Sequence, residues 1–226
     1  MPRIHVALIT LKKTPLRTKH ALRVAKGCGI QIDSRHGATP LHPDIKRNKR
    51  KRPSPNENAC FLSHSSAWKN AEKKKGWLIV FEDDFVPKYS FVTFSLLQRI
   101  LKSVPGDISF VNFGVRPELA RLGKFICQVE EGVNLRQGSG RHYHSYAVRC
   151  SALPRWIRMA EKLKFKIPID FVQDNLAKET AVVRVRNKVA LSFKGQVTKT
   201  LGLFVQKRSG VMKSTLRIPR KNSRWF

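Results

Sequence analysis

Three acidic residues in succession, Glu82, Asp83 and Asp84, stand out in a chain with only fifteen Asp and Glu residues. Along an extended backbone, side chains two positions apart point to the same side, so we expect Glu82 and Asp84 to face one space and Asp83 the other. Carboxylates held close together raise each other's pKa, a penalty that a hard divalent cation between them removes. The spacing therefore predicts a divalent metal site. The alternative is a helix cap, because acids favour helix N-termini.

The position of the triplet favours the metal site over the cap. It directly follows segment 77–81, whose unbroken run of apolar residues predicts a buried strand. Open α/β sheets bind their ligands just beyond the carboxyl ends of the strands. An acidic cluster in a chain of formal net charge +30 is also isolated among cations, which favours a functional role.

Strand and helix patterns alternate along the chain, which predicts an α/β fold around one central sheet. A length of 226 residues is enough for one well-filled domain. The helix expected near Asn56 places Cys60 and His64 on one face, so His64 points inward or toward a site. Strands are predicted at 4–11, 30–32, 77–81, 108–113, 125–129, 145–148 and 182–191, and helices at 16–25, 56–71, 90–102 and 151–163.

Basic residues dominate the charge balance, with 45 Lys and Arg in all. Their field attracts phosphates, nucleic acid or an anionic membrane surface. The densest run, 46–52, lies in a loop predicted at 34–56, and a further basic segment, 211–226, follows the domain expected at 1–210. The run fits nucleic-acid contact, nuclear import or capture of an acidic acceptor. It fits a solvated loop equally well, because no aromatic residues interleave with its charges.

The cysteines and the apolar segments suggest a cytoplasmic protein. The four cysteines contain no CxxC pair, which argues against a structural zinc site or a dense disulfide framework. The apolar run near the N-terminus is too short for a signal peptide or a membrane span. Any membrane contact would be peripheral, through basic residues and the pair Trp225 and Phe226.

Three blocks of the sequence resemble glycosyltransferase family 25, which includes lipopolysaccharide and collagen galactosyltransferases. The first is VALITLKKTPLRTKHAL. The second, ENACFLSHSSAWKNAEKKKGWLIVFEDDFVP, is the most specific, because it joins a Cys-x-x-Ser-His helix to a strand and the Glu-Asp-Asp triplet. The third is YHSYAVRCSALPRWI with the later IPIDF. The resemblance covers residues 4–170 and implies a single GT-A-type (Rossmann-like) domain with a central mixed, mostly parallel sheet.

The resemblance also implies a reaction and a set of residues. The donor would be a UDP-sugar carrying galactose or glucose, the acceptor a glycan, glycolipid or glycoprotein, and the cofactor Mn²⁺ or Mg²⁺ on the diphosphate. Asp84 would be a direct metal ligand, and Glu82 would hold a metal-bound water or the ribose. The nucleotide-sugar pocket would contain Thr10, Leu11, Arg17, Ser63, His64 and Asp83. A buried, satisfied histidine is an equal interpretation of His64.

Members of the family are generally inverting, which implies one general base on the acceptor hydroxyl. Asp170 is the candidate, because the apolar Ile-Pro-Ile segment before it would keep its carboxylate partly desolvated. Asp174 lies one turn further along if the segment is helical. The competing interpretation of Asp170 is again a helix cap.

Two other functions compete with glycosyl transfer. A metal-dependent nuclease or nucleic-acid-binding protein would explain the acids and the positive charge together. The chain shows no recognised nucleic-acid module, however, and the triplet has no nearby Lys or His partner of the kind that a nuclease core uses. A catalytically inactive, glycan-binding scaffold is the third possibility, and the set Glu82, Asp84 and Asp170 argues against it.

Overall fold

The computed structural model describes residues 1–11, 14–45, 53–115, 120–140, 144–185 and 201–206. The basic run 46–52, the segment 211–226 and the second half of the strand predicted at 182–191 lie outside these residues. Within the described part of the chain, no helix has the length and apolarity needed to cross a bilayer.

Within the described residues, eight strands form one mixed sheet in the order β2-β1-β3-β9-β5-β10-β8-β7. Strands β8 and β9 run opposite to the other six, as their antiparallel pairing with each neighbour shows. The mixed α/β fold expected from the sequence is therefore confirmed. The strands are β1 (Ile4–Ile9), β2 (Ser34–His36), β3 (Trp77–Glu82), β5 (Phe110–Asn112), β7 (Ala120–Glu130), β8 (Val133–Gly140), β9 (Ser145–Arg149) and β10 (Thr180–Val185).

Two short ribbons flank the sheet. Strands β4 (Phe85–Pro87) and β12 (Phe204–Gln206) pair with each other, as do β6 (Gly114–Val115) and β11 (Leu201–Gly202). The β4–β12 ribbon ties segment 204–206 to the chain that directly follows the acidic triplet.

Helices cover both faces of the sheet. Their bounds are α1 (Pro15–Gly27), α2 (Pro55–Ala71), α3 (Phe94–Lys102) and α4 (Leu153–Leu163), with 3₁₀ segments at Cys150–Ala152 and Ile169–Glu179. Alternate residues of β3 divide the core between the two faces: Ile79 packs with residues of α1 and α3, and Val80 packs with residues of α2 and α4. A strand that is buried on both faces needs a continuous apolar sequence, and segment 77–81 has one.

Helix α2, which carries Cys60 and His64, has a well-defined start. Its N-cap is Ser54 rather than the expected Asn56. The Ser54 side chain accepts from the Glu57 backbone N–H, and the Glu57 carboxylate accepts from the Ser54 N–H. Such a capping box satisfies two backbone donors that the helix leaves open. Capping therefore fixes where the helix begins and which side chains face β3.

Two other predicted starts also differ from the structure. The strand expected at 30–32 lies at Ser34–His36, and the helix expected from residue 90 begins at Phe94 after the cap Thr93. The apolar residues Phe94, Leu97 and Leu101, on which the helix prediction rested, do lie in α3. Ile30, on which the strand prediction rested, lies in the connection before β2. Ile30 and Val92 pack into the core from the connections before β2 and α3.

Candidate active site

A pocket lies at the carboxyl ends of the parallel strands β1 and β3. Its volume is about 590 Å³, including the part that is open to solvent. It brings together seven residues predicted from the sequence to belong to the site, although they are up to 74 positions apart in the chain. These are Thr10, Leu11, Arg17, Ser63, Glu82, Asp83 and Asp84. Ala38, Pro40, Asn56, Ala59 and Cys60 complete most of the wall.

The acidic triplet does not cap a helix. Glu82 is the last residue of β3, Asp83 and Asp84 form a turn, and the chain then enters β4. The capping alternative is therefore wrong. The expected alternation of side chains is also wrong beyond Glu82, because it requires an extended backbone and the strand has already ended.

Arg17 joins the two aspartates. Its Nη2 atom forms an ion pair with Asp83 and lies 3.3 Å from Oδ2 of Asp84. All three residues are buried, with only 1% of Asp84 exposed. Asp83 and Asp84 therefore face the same cation, and Asp83 does not point away from the site.

Two threonines hold Asp83 from the β1 side. The Thr10 hydroxyl donates to Oδ2 of Asp83 at 3.0 Å, and the Thr14 hydroxyl lies 3.4 Å from the same oxygen. Burial nevertheless raises the pKa of Asp83, and it outweighs the opposite effects of Arg17 and Thr10. Arg17 and the threonines therefore do not fully offset the cost of burying the charge of this carboxylate.

Glu82 faces a different group of side chains. Its Oε1 atom lies 3.3 Å from Nε2 of His64 and 3.8 Å from Sγ of Cys60, both on helix α2. On the other side of the imidazole, Nδ1 of His64 lies 2.9 Å from the Tyr146 hydroxyl, which accepts from the Trp68 indole N–H at 2.8 Å. His64 is fully buried behind the pocket wall and supports Glu82 from there.

Ser63 and Leu11 shape the pocket through hydrogen bonds with backbone groups. The Ser63 hydroxyl donates to the Ala59 carbonyl and accepts from the Ala38 N–H, each at 2.8 Å, so it fastens the loop after β2 to helix α2. The Leu11 carbonyl accepts from the Thr14 N–H at 2.9 Å, which forms the turn into α1. Both residues line the pocket, and Ser63 also holds one of its walls in place.

Asp170 lies close to the site but not among the residues that line the pocket. It is half-buried in the first turn of the 3₁₀ segment, and the N-cap position belongs to Pro168. Its charge acts on Cys60: burial, Glu82, Asp170 and Asp84 together raise the pKa of the Cys60 thiol well above its ordinary value. The segment is 3₁₀ rather than α-helical, so Asp174 does not stack one α-turn above Asp170.

The charge of the pocket suits a divalent cation. Three carboxylates line it, and Arg17 is the one cationic side chain among the described residues of its wall. Carboxylate oxygens are the ligands that Mn²⁺ and Mg²⁺ prefer. The raised pKa of Asp83 indicates that one arginine does not fully offset the buried negative charge. The donor set and its charge therefore fit a hard divalent ion.

The sequence alone did not single out two contributors to this site. The helical pattern places Cys60 on the same face as His64 but indicates no role for it. Tyr146 lies on β9, and its hydroxyl reaches His64 across 82 positions of sequence. The Cys-x-x-Ser-His spacing was the available signal for Cys60.

A mixed α/β sheet with an acidic pocket beyond the carboxyl ends of adjacent parallel strands is the arrangement of a ligand-binding α/β enzyme. The family model described as "Glycosyltransferase family 25 (LPS biosynthesis protein)" matches residues 5–151, which include all of the pocket residues predicted from the sequence. The chain therefore belongs to glycosyltransferase family 25.

Two solved structures are similar to this chain at low identity. A glycosyltransferase involved in the glycosylation of the major capsid of PBCV-1 has 9% identity and a TM-score of 0.42, and the match covers 72% of this chain and 66% of that one. This chain thus spans slightly less than two thirds of that protein. Mannose-1-phosphate geranyltransferase from Thermus thermophilus has 13% identity and a TM-score of 0.39, with 81% and 74% covered. No curated protein sequence matches the chain.

Proposed function

We propose that the protein is a metal-dependent, inverting glycosyltransferase with a GT-A-type domain that moves galactose or glucose from a UDP-sugar to a hydroxyl of a glycan, glycolipid or glycoprotein. The observation that carries this proposal is the pocket lined by Glu82, Asp83 and Asp84, in which Arg17 pairs with the two aspartates. A nucleoside diphosphate with its divalent cation matches that combination of charges.

The residues of the pocket have separate roles in binding the donor. Asp84 is the proposed direct ligand of Mn²⁺ or Mg²⁺, and Glu82, held by His64, lies beside it to orient a metal-bound water or the ribose. When bound, the cation stabilises the negative charge that develops on the leaving diphosphate. Arg17 pairs with both aspartates and so controls how much negative charge the pocket offers. Thr10, Leu11 and Ser63 shape the wall against the nucleotide.

Asp170 is the proposed general base. In a single displacement, the acceptor oxygen attacks the anomeric carbon, the bond to the diphosphate breaks, and the hydroxyl proton passes to a carboxylate. Asp170 is half-buried, and its charge acts on Cys60 in the pocket wall. These features support a carboxylate that approaches the pocket from the side of the 3₁₀ segment, opposite α1.

The high positive charge supports an acidic acceptor or an anionic surface. With a formal net charge of +30, the protein would concentrate phosphate-bearing glycolipids near the pocket. We propose that it acts in the cytoplasm, with peripheral contact to anionic membranes. Co-sedimentation with vesicles tests this: binding should require anionic lipid and weaken as salt rises. Equal binding to neutral vesicles would contradict it.

The transfer reaction is tested by measuring UDP release from a panel of UDP-sugars with and without Mn²⁺. Wild type should turn over one donor in a metal-dependent way, and Asp84→Asn should lose at least about 100-fold, as expected for a lost transition-state contact. Asp170→Asn should lower kcat with little change in the KM for donor. Glu131→Gln, an exposed acid between β7 and β8, is the matched control and should behave like wild type. Equal turnover by Asp84→Asn and wild type would remove Asp84 from its role.

A further inference from the structure

A second set of metal-ligating atoms lies in the wall of the pocket, apart from the aspartates that face Arg17. Cys60 and His64 are four positions apart on α2, so their side chains project from the same face. Glu82 approaches them from the end of β3. The sulfur, the imidazole Nε2 and a carboxylate oxygen all lie within 4.8 Å of one another.

The two separations that Glu82 makes with the other ligands are close to the edges of a tetrahedral site. With bonds of about 2.0 Å to nitrogen and oxygen and about 2.3 Å to sulfur, zinc ligands stand about 3.3 Å apart for N and O and about 3.5 Å apart for S and O. The observed separations are 3.3 Å from His64 to Glu82 and 3.8 Å from Cys60 to Glu82. At 3.3 Å the imidazole nitrogen and the carboxylate oxygen also lie within hydrogen-bonding distance, so a cation would replace this contact when it binds.

A hydrogen bond at the other ring nitrogen orients the imidazole of His64. Nδ1 of His64 lies 2.9 Å from the Tyr146 hydroxyl, which Trp68 fixes in turn. The ring of His64 also stacks on that of Tyr146, with centroids 5.7 Å apart. Hydrogen bonding at the second ring nitrogen orients the first nitrogen toward its ligand. Nε2 is thereby aimed at Glu82 and the space beside Cys60.

The ligand set leaves one side open for a cation. A divalent ion bound there would hold Cys60 as the thiolate, with one proton released from the thiol as the sulfur–metal bond forms. Cys60 and Glu82 line the pocket whereas His64 is fully buried, so the open side of the ligand set faces the pocket.

We propose that Cys60, His64 and Glu82 form a three-ligand site for a zinc-class divalent cation, with its fourth coordination position directed into the pocket. Thiolate and imidazole select a softer ion than the carboxylates facing Arg17 would take. Glu82 also has a role in the donor binding proposed above, but the two proposals are tested separately, because this site is measured by Co²⁺ binding without a sugar donor. Sequence patterns of the CxxC type miss it, since the ligands come from a helix and a strand.

Co²⁺ is the probe, because it occupies zinc sites and is coloured by thiolate ligands. Titrating the metal-free full chain with Co²⁺ should produce a thiolate-to-cobalt absorption band that saturates at one equivalent and disappears when Zn²⁺ is added. Cys60→Ser should abolish the band, and Glu82→Gln should weaken Co²⁺ binding by at least about tenfold. Cys127→Ser, a half-buried thiol on β7, should keep the band and serves as the control.

Two results would overturn the site. One is the absence of a thiolate band in wild type at saturating Co²⁺, and the other is a band that persists in Cys60→Ser. Circular dichroism of each variant separates loss of binding from loss of folding. If Cys60→Ser does not fold, Glu82→Gln decides the outcome, because Glu82 is only partly buried at a strand end. Unchanged Co²⁺ affinity in that variant would then exclude the proposed ligand set.

Discussion

Ile9 lies opposite Glu82 in the parallel pairing of β1 and β3. The residues that follow the two strands therefore meet at one edge of the sheet, and the Thr10 hydroxyl donates to Asp83 there. Arg17 reaches the same point from helix α1. The register of one strand pair thus gathers, from two distant stretches of sequence, the side chains that give the pocket its charge.

Arg17→Ala should destabilise the fold markedly. Removing one partner of a buried ion pair leaves charge uncompensated and lowers the free energy of unfolding by about 3–5 kcal/mol. Arg155→Ala is the matched control, because the Arg155–Glu179 pair is about half exposed on the arginine side and such pairs contribute about 0–1 kcal/mol. Urea unfolding of both variants measures the difference. A larger loss in Arg155→Ala would contradict the role assigned to Arg17.

Cys60 should react slowly with alkylating reagents even though it borders the pocket. Burial and three carboxylates raise its pKa well above the ordinary value, so the reactive thiolate is scarce at mildly alkaline pH. Burial alone raises the pKa of Cys127. Peptide mass spectrometry after a timed iodoacetamide reaction should show Cys127 labelled before Cys60, and both labelled equally in urea. Faster labelling of Cys60 in the native protein would count against this electrostatic description.

Tyr146→Phe should lower the free energy of unfolding, because Tyr146 contacts the histidine that holds Glu82. The substitution removes the hydroxyl that accepts from the Trp68 indole and contacts His64, and an unsatisfied buried donor costs about 1–3 kcal/mol. Thermal and urea unfolding should both show the loss. Tyr89→Phe, on the other face of the sheet, is the control and should be milder. Equal stability of Tyr146→Phe and wild type would show that the hydroxyl is dispensable.

Gly37→Ala should disturb the pocket through its backbone. A Cβ at position 37 would overlap the Thr10 carbonyl oxygen, because the loop after β2 crosses directly over the end of β1. We expect lower stability and weaker binding of the donor nucleotide by calorimetry. Gly106→Ala is the control, since a Cβ there meets nothing within 4 Å. A wild-type nucleotide affinity in Gly37→Ala would indicate that this loop does not shape the binding site.

Much of the fold follows from local sequence. The apolar run at 77–81 predicts a strand buried on both faces, and the structure places β3 between β1 and β9 in the sheet. The helical face of Cys60, His64 and Trp68 packs inward as the 3.6-residue period requires. Starts of elements were less predictable, since caps such as Ser54 and Thr93 compete with neighbouring residues that could serve equally well.

The sequence by itself determined that Glu82, Asp83 and Asp84 follow a buried strand, and its resemblance to glycosyltransferase family 25 implied that Thr10 and Arg17 belong to the same site. Only the tertiary structure decided which side chains each of these residues contacts. The turn after β3 directs both aspartates to Arg17, whereas Glu82, still in the strand, faces Cys60 and His64. The physical reason is that residue types and the local periodicity of apolar residues are properties of the sequence. Side-chain partners, in contrast, depend on strand register and on the turn that ends β3.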